Sequence, residues 1–273
     1  GVDFRQIDKM ALDLGLSFDN DKRIASGIKY GLIRSTYNGN SCVLKENLIE
    51  FVIKLLDVTT ENVEDSLINL KAKEEIVIEK RENSQEYIYL TAFYNTEEEI
   101  AYRLLKLQAA PNLKKIGDLK SELKKIEASS KIELSEKQKE AIKLVNESNV
   151  TIITGGPGTG KTTIIKNIID IYEGKGKKVV LSAPTGRAAK RMTETTGKEA
   201  STLHRLLEIG KIDDDSLYKS AKEYEGAPID GDVIIVDEVS MVDMFLMNYL
   251  LKCVYQGTKL VLVGDVDQLA SVG

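Results

Sequence analysis

Val150-Thr-Ile-Ile-Thr-Gly-Gly-Pro-Gly-Thr-Gly-Lys-Thr-Thr163 runs from a β-branched segment into a glycine-rich loop that closes on a lysine and two threonines. An apolar pattern at helical spacing follows (Ile164, Ile165, Ile168, Ile169). A strand, the loop Gly155-x4-Gly160-Lys161-Thr162 and a helix, in that order, constitute a P-loop. Glycines let the backbone turn several N–H groups inward toward phosphate oxygens. The positive end of the following helix adds to that field. The predicted phosphate cradle is therefore Gly156, Pro157, Gly158, Thr159, Gly160, Lys161, Thr162 and Thr163. Lys161 reaches the β- and γ-phosphates of a nucleotide such as ATP, and the Thr162 hydroxyl is a ligand for Mg²⁺.

Outward from this loop, residues 134–273 alternate strand and helix, which predicts a parallel sheet covered by helices. The strand candidates are Val150–Thr154, Lys178–Ser182, Val233–Val236 and Leu260–Val263. Two adjacent carboxylates, Asp237 and Glu238, end the apolar run Val233-Ile-Ile-Val236. Beside a P-loop, a carboxylate at a strand tip holds Mg²⁺ and its neighbour activates water, so Asp237 and Glu238 are predicted in those roles. The strand Leu260–Val263 ends in Gly264-Asp-Val-Asp-Gln268. Gln268 is placed to hydrogen-bond a γ-phosphate or the attacking water.

The second strand runs into Ala183-Pro-Thr-Gly-Arg-Ala-Ala-Lys-Arg191. Ligand loops in open parallel sheets lie at the carboxyl ends of strands. A Pro-Thr-Gly turn offers hydroxyl and N–H groups, and the helix behind it carries Arg187, Lys190 and Arg191, so contact with a nucleic-acid backbone is expected. An ordinary basic helix face remains the alternative. Ser201-Thr-Leu-His204 holds the only histidine. A lone histidine is most often structural, and no serine–carboxylate pattern makes this one a hydrolase base. Ser135 and Gln138 fit a capping box at the start of the helix before the P-loop strand, with adenine reading by Gln138 as a further possibility.

Composition sets outer bounds. The 273 residues are 42% hydrophobic, enough for about two globular domains, and carry a net charge of −5. That charge does not mark the chain as a nucleic-acid binder, so any DNA site is a local patch. No apolar run approaches the roughly 20 residues of a membrane span, and the N-terminal residues have neither basic start nor apolar stretch. Cys42 and Cys253 lie far apart, in no metal or redox spacing. A cytoplasmic protein without membrane partner is expected.

Residues 1–95 read as an N-terminal accessory domain. Helices are expected around Phe4–Leu14, Asp21–Tyr30, Leu48–Leu56 and Val63–Leu70, then a β-hairpin with its loop at Arg81–Gln85. This is a winged-helix-like arrangement, suited to DNA or to protein docking. Residues 96–133 read as a helical linker. Thr96-Glu-Glu-Glu99 looks like a capping box opening a helix that Pro111 stops. From Ala101 to Lys131 there are eight basic residues against three acidic ones, either a solvated helix face or a phosphate-contacting surface.

The order of motifs resembles the superfamily 1 DNA helicases of the RecD/TraA type, the motor of exodeoxyribonuclease V alpha chains and their stand-alone relatives. The resemblance covers about Leu134 to Gly273. It rests on Leu-x3-Gln138, Gly-Gly-Pro-Gly-Thr-Gly-Lys-Thr, Ala-Pro-Thr-Gly-Arg-Ala-Ala, Thr-Leu-His-Arg-Leu-Leu, Val-Asp-Glu-Val-Ser-Met-Val-Asp and Val-Gly-Asp-x-Asp-Gln-Leu-x-Ser-Val-Gly. It implies a RecA-like α/β domain that uses ATP and Mg²⁺ for 5′→3′ movement on single-stranded DNA in repair or recombination. Under it, Gln138 reads adenine, Lys161, Thr162, Asp237 and Glu238 run hydrolysis, and Gln268 couples the γ-phosphate to DNA grip. Pro184, Thr185, Arg187, Thr202 and His204 line or support the DNA track. Residues 208–232 would be a small inserted hairpin, with eight acidic and three basic residues. The family's second RecA-like domain, with its arginines, has no counterpart in these residues, so a fragment nearly inactive by itself is expected. A non-catalytic nucleotide switch and the alpha subunit of a nuclease complex remain competing readings.

Overall fold

The computed structural model describes residues 3–82, 84–130, 133–209 and 226–265. They form two compact units, one ending at Glu97 and one beginning at Glu98.

The first unit opens with α1 (Phe4–Asp13), α2 (Asp21–Thr36) and the short strand β1 (Cys42–Leu44). Then come α3 (Lys45–Leu56), α4 (Thr60–Ala72), β2 (Ile76–Lys80) and β3 (Glu86–Leu90). The expected hairpin is present as β2–β3, and β1 joins it in an antiparallel sheet of order β1-β3-β2. Its core is Ile24, Ile28, Leu48, Val52, Val63, Leu67 and Ile88. Helix α2 runs past Tyr30, the expected end, through Gly31 to Thr36. A Cβ at Gly31 would stand 2.9 Å from Leu48 and Phe51, so glycine here serves close packing of α3. The chain turns instead at Gly39, whose φ is +79°. Buried Arg23 ties the unit together: it forks onto Asp8 at 2.7 and 2.9 Å and donates to the carbonyls of Phe18 and Leu56.

Helix α5 runs from Thr91 to Ala109, five residues ahead of the expected start at Thr96. Thr96 Oγ1 donates to the Ala92 carbonyl one turn back, which places it inside the helix; the Thr-x-x-Glu pattern is not a cap here.

The second unit continues with α6 (Leu119–Ser130), α7 (Glu136–Glu147), β4 (Val150–Thr154), α8 (Lys161–Glu173), β5 (Val179–Ala183) and α9 (Gly186–Thr196). The last described elements are β6 (Ala200–Thr202), α10 (Leu203–Leu206), β7 (Val233–Val236), α11 (Met244–Cys253) and β8 (Lys259–Gly264). Five parallel strands form one sheet of order β4-β8-β7-β5-β6. Strands β7 and β8 are buried along their whole length, as continuous apolar runs between covering helices are. The core packs Ile142, Val145, Ile153, Ile168, Tyr172, Ile235, Val261 and Val263 together.

Part of the expected linker belongs to this core, since Leu119, Leu123 and Ile126 pack against it. Asn146 pins the segment ahead of α6 by accepting from the Ile116 N–H at 2.7 Å and donating to the Ile116 carbonyl at 2.9 Å. Several cations of the basic region are ion-paired: Arg103 with Glu99, Lys114 with Asp232 and Lys125 with Glu122. These three pairs favour a structural or solvated reading over a phosphate-binding surface for those positions. No described helix is long and apolar enough to cross a membrane. Among the described residues neither cysteine is in a disulfide; Cys253 is buried and Cys42 half-buried.

Lys259, only 1% exposed, donates from Nζ to the carbonyls of Asn146 and Ser148 at 3.1 and 2.8 Å, closing the end of α7. Burial pushes its ammonium down from the ordinary 10.5 to about 8, and Lys115 adds repulsion. Between those two values the folded chain binds fewer protons than the unfolded chain, so this group makes stability rise with pH. The slope is at most about 1.4 kcal/mol per pH unit. In Lys259→Met this rise is absent. Urea unfolding of both proteins from neutral to alkaline pH should therefore show their stability difference shifting in favour of the parent; a difference constant with pH would refute the depressed ammonium.

Candidate functional site

All five strands of the second unit run the same way, so their carboxyl ends meet on one edge. Thr154 pairs with Gly264, Val236 with Leu262, Ser182 with Val236 and Ala183 with Thr202. The P-loop, the Ala-Pro-Thr-Gly turn, the Thr-Leu-His turn and the Asp-Glu pair therefore follow strand ends that are neighbours in the sheet.

A cleft of about 330 Å³ opens on this edge, walled by the loop from Gly156 to Thr162, by Asp237 and Glu238, and by Gly264 and Asp265. Gly158 and Gly160 adopt φ of +75° and +89°, which an L side chain rarely reaches. Gly160 stands just ahead of the first turn of α8, and no side chain caps that turn. The Thr159 hydroxyl donates to the Gly156 carbonyl at 2.8 Å and keeps the loop folded on itself. Lys161 Nζ donates to the carbonyls of Gly155 and Gly156, the latter at 3.0 Å, which holds the ammonium over the hollow of the loop.

Asp237 follows the buried end of β7. Burial raises its carboxyl above the ordinary carboxylate value, while the Glu238 N–H, Lys161 and Arg191 pull it part of the way back. The Glu238 N–H donates to Asp237 Oδ1 at 2.9 Å. Glu238 itself sits at φ +52°, ψ +39°, a left-handed conformation that costs a non-glycine residue about 1 kcal/mol. A short 3₁₀ turn, Val239–Met241, follows and fixes the strained residue in place. Gly264 admits this turn: a Cβ there would stand 2.9 Å from Val239 Cγ1.

The donor set fits the groups that the sequence implied. Thr162 and Asp237 offer hard oxygens of the kind Mg²⁺ takes, and both line the cleft. The loop glycines leave open space at Gly156 and Gly158 where a phosphate would lie.

Other expected residues have definite places. Gln138 completes the capping box, its N–H donating to Ser135 Oγ at 3.3 Å and its Oε1 accepting from the Ser135 N–H at 3.0 Å. Its amide nitrogen also abuts Gly160, so the capping and nucleotide readings of Gln138 are compatible. Thr163 lies beyond the cleft wall, and its carbonyl accepts from Asn167. Pro184 and Thr185 follow β5, and Thr202 and His204 occur at the end of the adjacent β6. The hydroxyls of Thr185 and Thr202 each cap a helix, by accepting from the N–H groups of Ala188 and Arg205. His204 and Arg187 are exposed. Gln268 and most of the expected hairpin (residues 210–225) lie outside the described residues.

Five wall residues were not anticipated as cleft residues: Arg191, Met192, Thr195, Gly264 and Asp265. The first three share one face of α9, which only the phase of that helix could have revealed. Asp265 stood within a quoted motif, but it gave no separate signal.

A parallel sheet with a glycine loop and helix on one strand and an acidic pair at the tip of another defines a RecA-like P-loop ATPase domain, which binds ATP. A family model described as an AAA domain matches residues 138–273. The ATP-dependent RecD2 DNA helicase of Deinococcus radiodurans is 31% identical over 281 aligned positions, covering 100% of this chain and 38% of that protein. The RecBCD enzyme subunit RecD of Mycolicibacterium smegmatis is 40% identical over 160, covering 50% of this chain and 28% of that one. The Pif1 helicase structure from Candida albicans matches 52% of this chain and 34% of its own at 28% identity and a TM-score of 0.38. The chain belongs to the RecD/RecD2-type superfamily 1 helicases. It spans less than two fifths of the length of these curated relatives.

The raised Asp237 carboxyl gives the site a measurable cost. The folded chain holds this proton to higher pH than the unfolded chain, so the group lowers stability as pH climbs above the ordinary carboxylate value. Asp237→Asn keeps the acceptor for the Glu238 N–H and removes the charge. The variant should melt higher than the parent at neutral pH, the advantage shrinking on acidification, while Mg²⁺-dependent nucleotide binding falls. A variant that melts lower at neutral pH would contradict the assigned cause.

Proposed function

We propose that this chain is the ATP-binding part of a 5′→3′ DNA helicase of repair or recombination, which couples ATP hydrolysis to movement on single-stranded DNA. The observation that carries this reading is the cleft that brings Lys161 and Thr162 of the P-loop within one wall system with Asp237 and Glu238 of β7. In it, the loop N–H groups and Lys161 bind the phosphates. Glu238, at the mouth of the cleft, takes a proton from the attacking water. Thr162 and Asp237 would hold Mg²⁺, which neutralises phosphate charge when bound. Gln138 contacts the base, and Gln268 the γ-phosphate.

Pro184, Thr185, Arg187, Thr202 and His204 contact the strand of DNA along the ends of β5 and β6. The adjacency of these two strands and the exposure of Arg187 and His204 support this, as does the name of the D. radiodurans relative. Polarity rests on the family resemblance. The full-length protein would complete the site with a second RecA-like domain. The stand-alone reading is favoured because the RecD2 match runs through the whole chain, whereas RecBCD subunits match 50% to 68% of it.

The test is ATPase on the full-length protein, with and without single-stranded DNA. Lys161→Ala should abolish DNA-stimulated turnover. Glu238→Gln should keep nucleotide binding but lose turnover by about 10²- to 10⁴-fold, the usual share of a general base. Turnover that survives Lys161→Ala would remove the assignment, and so would tight ATP binding that DNA never converts into hydrolysis.

A further inference from the structure

Helix α9 carries three cations, Arg187, Lys190 and Arg191, which in linear sequence form one basic cluster. The helix sets Lys190 to one side, while Arg187 lies one turn before Arg191 on the same side and of the three only Arg191 lines the cleft. Successive residues are turned by about 100°, so Arg191 points to one side of Lys190, toward the face that carries Met192 and Thr195. Lys190 is ion-paired with Glu194 at 3.9 Å, one turn along. Arg191 lines the same cleft as Lys161, Asp237 and Glu238, together with Met192 and Thr195. Met192 is 3% exposed and packed in the core of the unit, so the helix face that presents Arg191 is fixed.

The charges around the cleft make this placement informative. Its walls carry three carboxylates (Asp237, Glu238, Asp265) and two cations, Lys161 and Arg191. Lys161 is engaged by the carbonyls of its own loop. The Arg191 guanidinium has no ion pair among the described residues. Arg191 thus walls the same cleft as Lys161 and the carboxylates of β7, the cleft in which the β- and γ-phosphates belong.

We propose that Arg191 is a phosphate-binding residue of the nucleotide site, supplied in cis by α9, which contacts the terminal phosphate of a nucleoside triphosphate. This rests on the ATP-site reading above. It moves Arg191 out of the DNA-contacting set and leaves Arg187 there. A planar guanidinium suits the fork of phosphate oxygens, and a terminal phosphate is the group that distinguishes ATP from ADP.

The test measures binding to the chain of a fluorescent non-hydrolysable ATP analogue, of the matching ADP and of an oligothymidylate, all with Mg²⁺. Arg191→Ala should weaken the triphosphate roughly 10- to 100-fold, the range for a hydrogen bond to a charged group, with ADP and oligothymidylate changed less than about twofold. Arg191→Lys should recover part of the loss, and Lys166→Ala, at an exposed cation of α8, should change nothing. Equal losses for ATP and ADP, no loss for either, or a loss confined to oligothymidylate would each overturn the proposal. Lys161→Ala separates it from the reading beneath: if that variant keeps nucleotide affinity, the ATP site itself is misassigned. If Lys161→Ala loses affinity while Arg191→Ala does not, only the role of Arg191 falls. Arg191 is exposed and its side chain holds nothing else, so its variants should fold, and thermal melting checks this.

Discussion

Parallel hydrogen bonding across five strands is the constraint from which the rest of the second unit follows. With every strand pointing the same way, each loop that leaves a carboxyl end is delivered to one edge. Residues more than a hundred positions apart in sequence, such as Thr154 and Gly264, become direct partners. Such a sheet must be covered on both faces, and the apolar runs of β7 and β8 meet that requirement. The segment ahead of α6 and the end of α7 are drawn into the same packing through Asn146 and Lys259.

The site is built where that packing stops. Asp237 is the first polar residue after four fully buried positions, which explains its raised proton affinity. Glu238 takes a left-handed backbone directly afterwards. Both features oppose stability, and both sit on the most buried strand pair of the unit, where the surroundings are stiff enough to hold them. Strain and desolvation on two adjacent residues of a cleft are a common mark of a functional position.

Sequence reading found the strands of four residues or longer, Val233–Val236 by an unbroken buried apolar run and Val150–Thr154 by its β-branched residues ahead of the glycine loop. Val150–Thr154 and Val233–Val236 match the strands in both bounds. The three-residue strands Cys42–Leu44 and Ala200–Thr202 were missed, since so short a piece shows no period. The start of α5 was misplaced because Thr96 satisfies a local capping pattern that the preceding residues override by continuing the helix. The P-loop, Asp237 and Glu238 were legible as chemistry, since few other arrangements use those residues at that spacing. Arg191 was read with its neighbours as one basic patch. Linear proximity carries no phase, and only the helix axis shows that Arg191 and Lys190 look in different directions.

Gln138 touches two systems at once. Its carbonyl oxygen caps α7 while its amide nitrogen rests against Gly160. Glutamate would serve the cap as well as glutamine does. It would also set a carboxylate against a loop that has to receive a polyanion. An exchange that is among the mildest by shape, and neutral for the helix, is thereby hostile to the neighbouring loop. Charge at position 138 therefore separates the two systems that one side chain joins, since the helix cap accepts it and the phosphate loop does not.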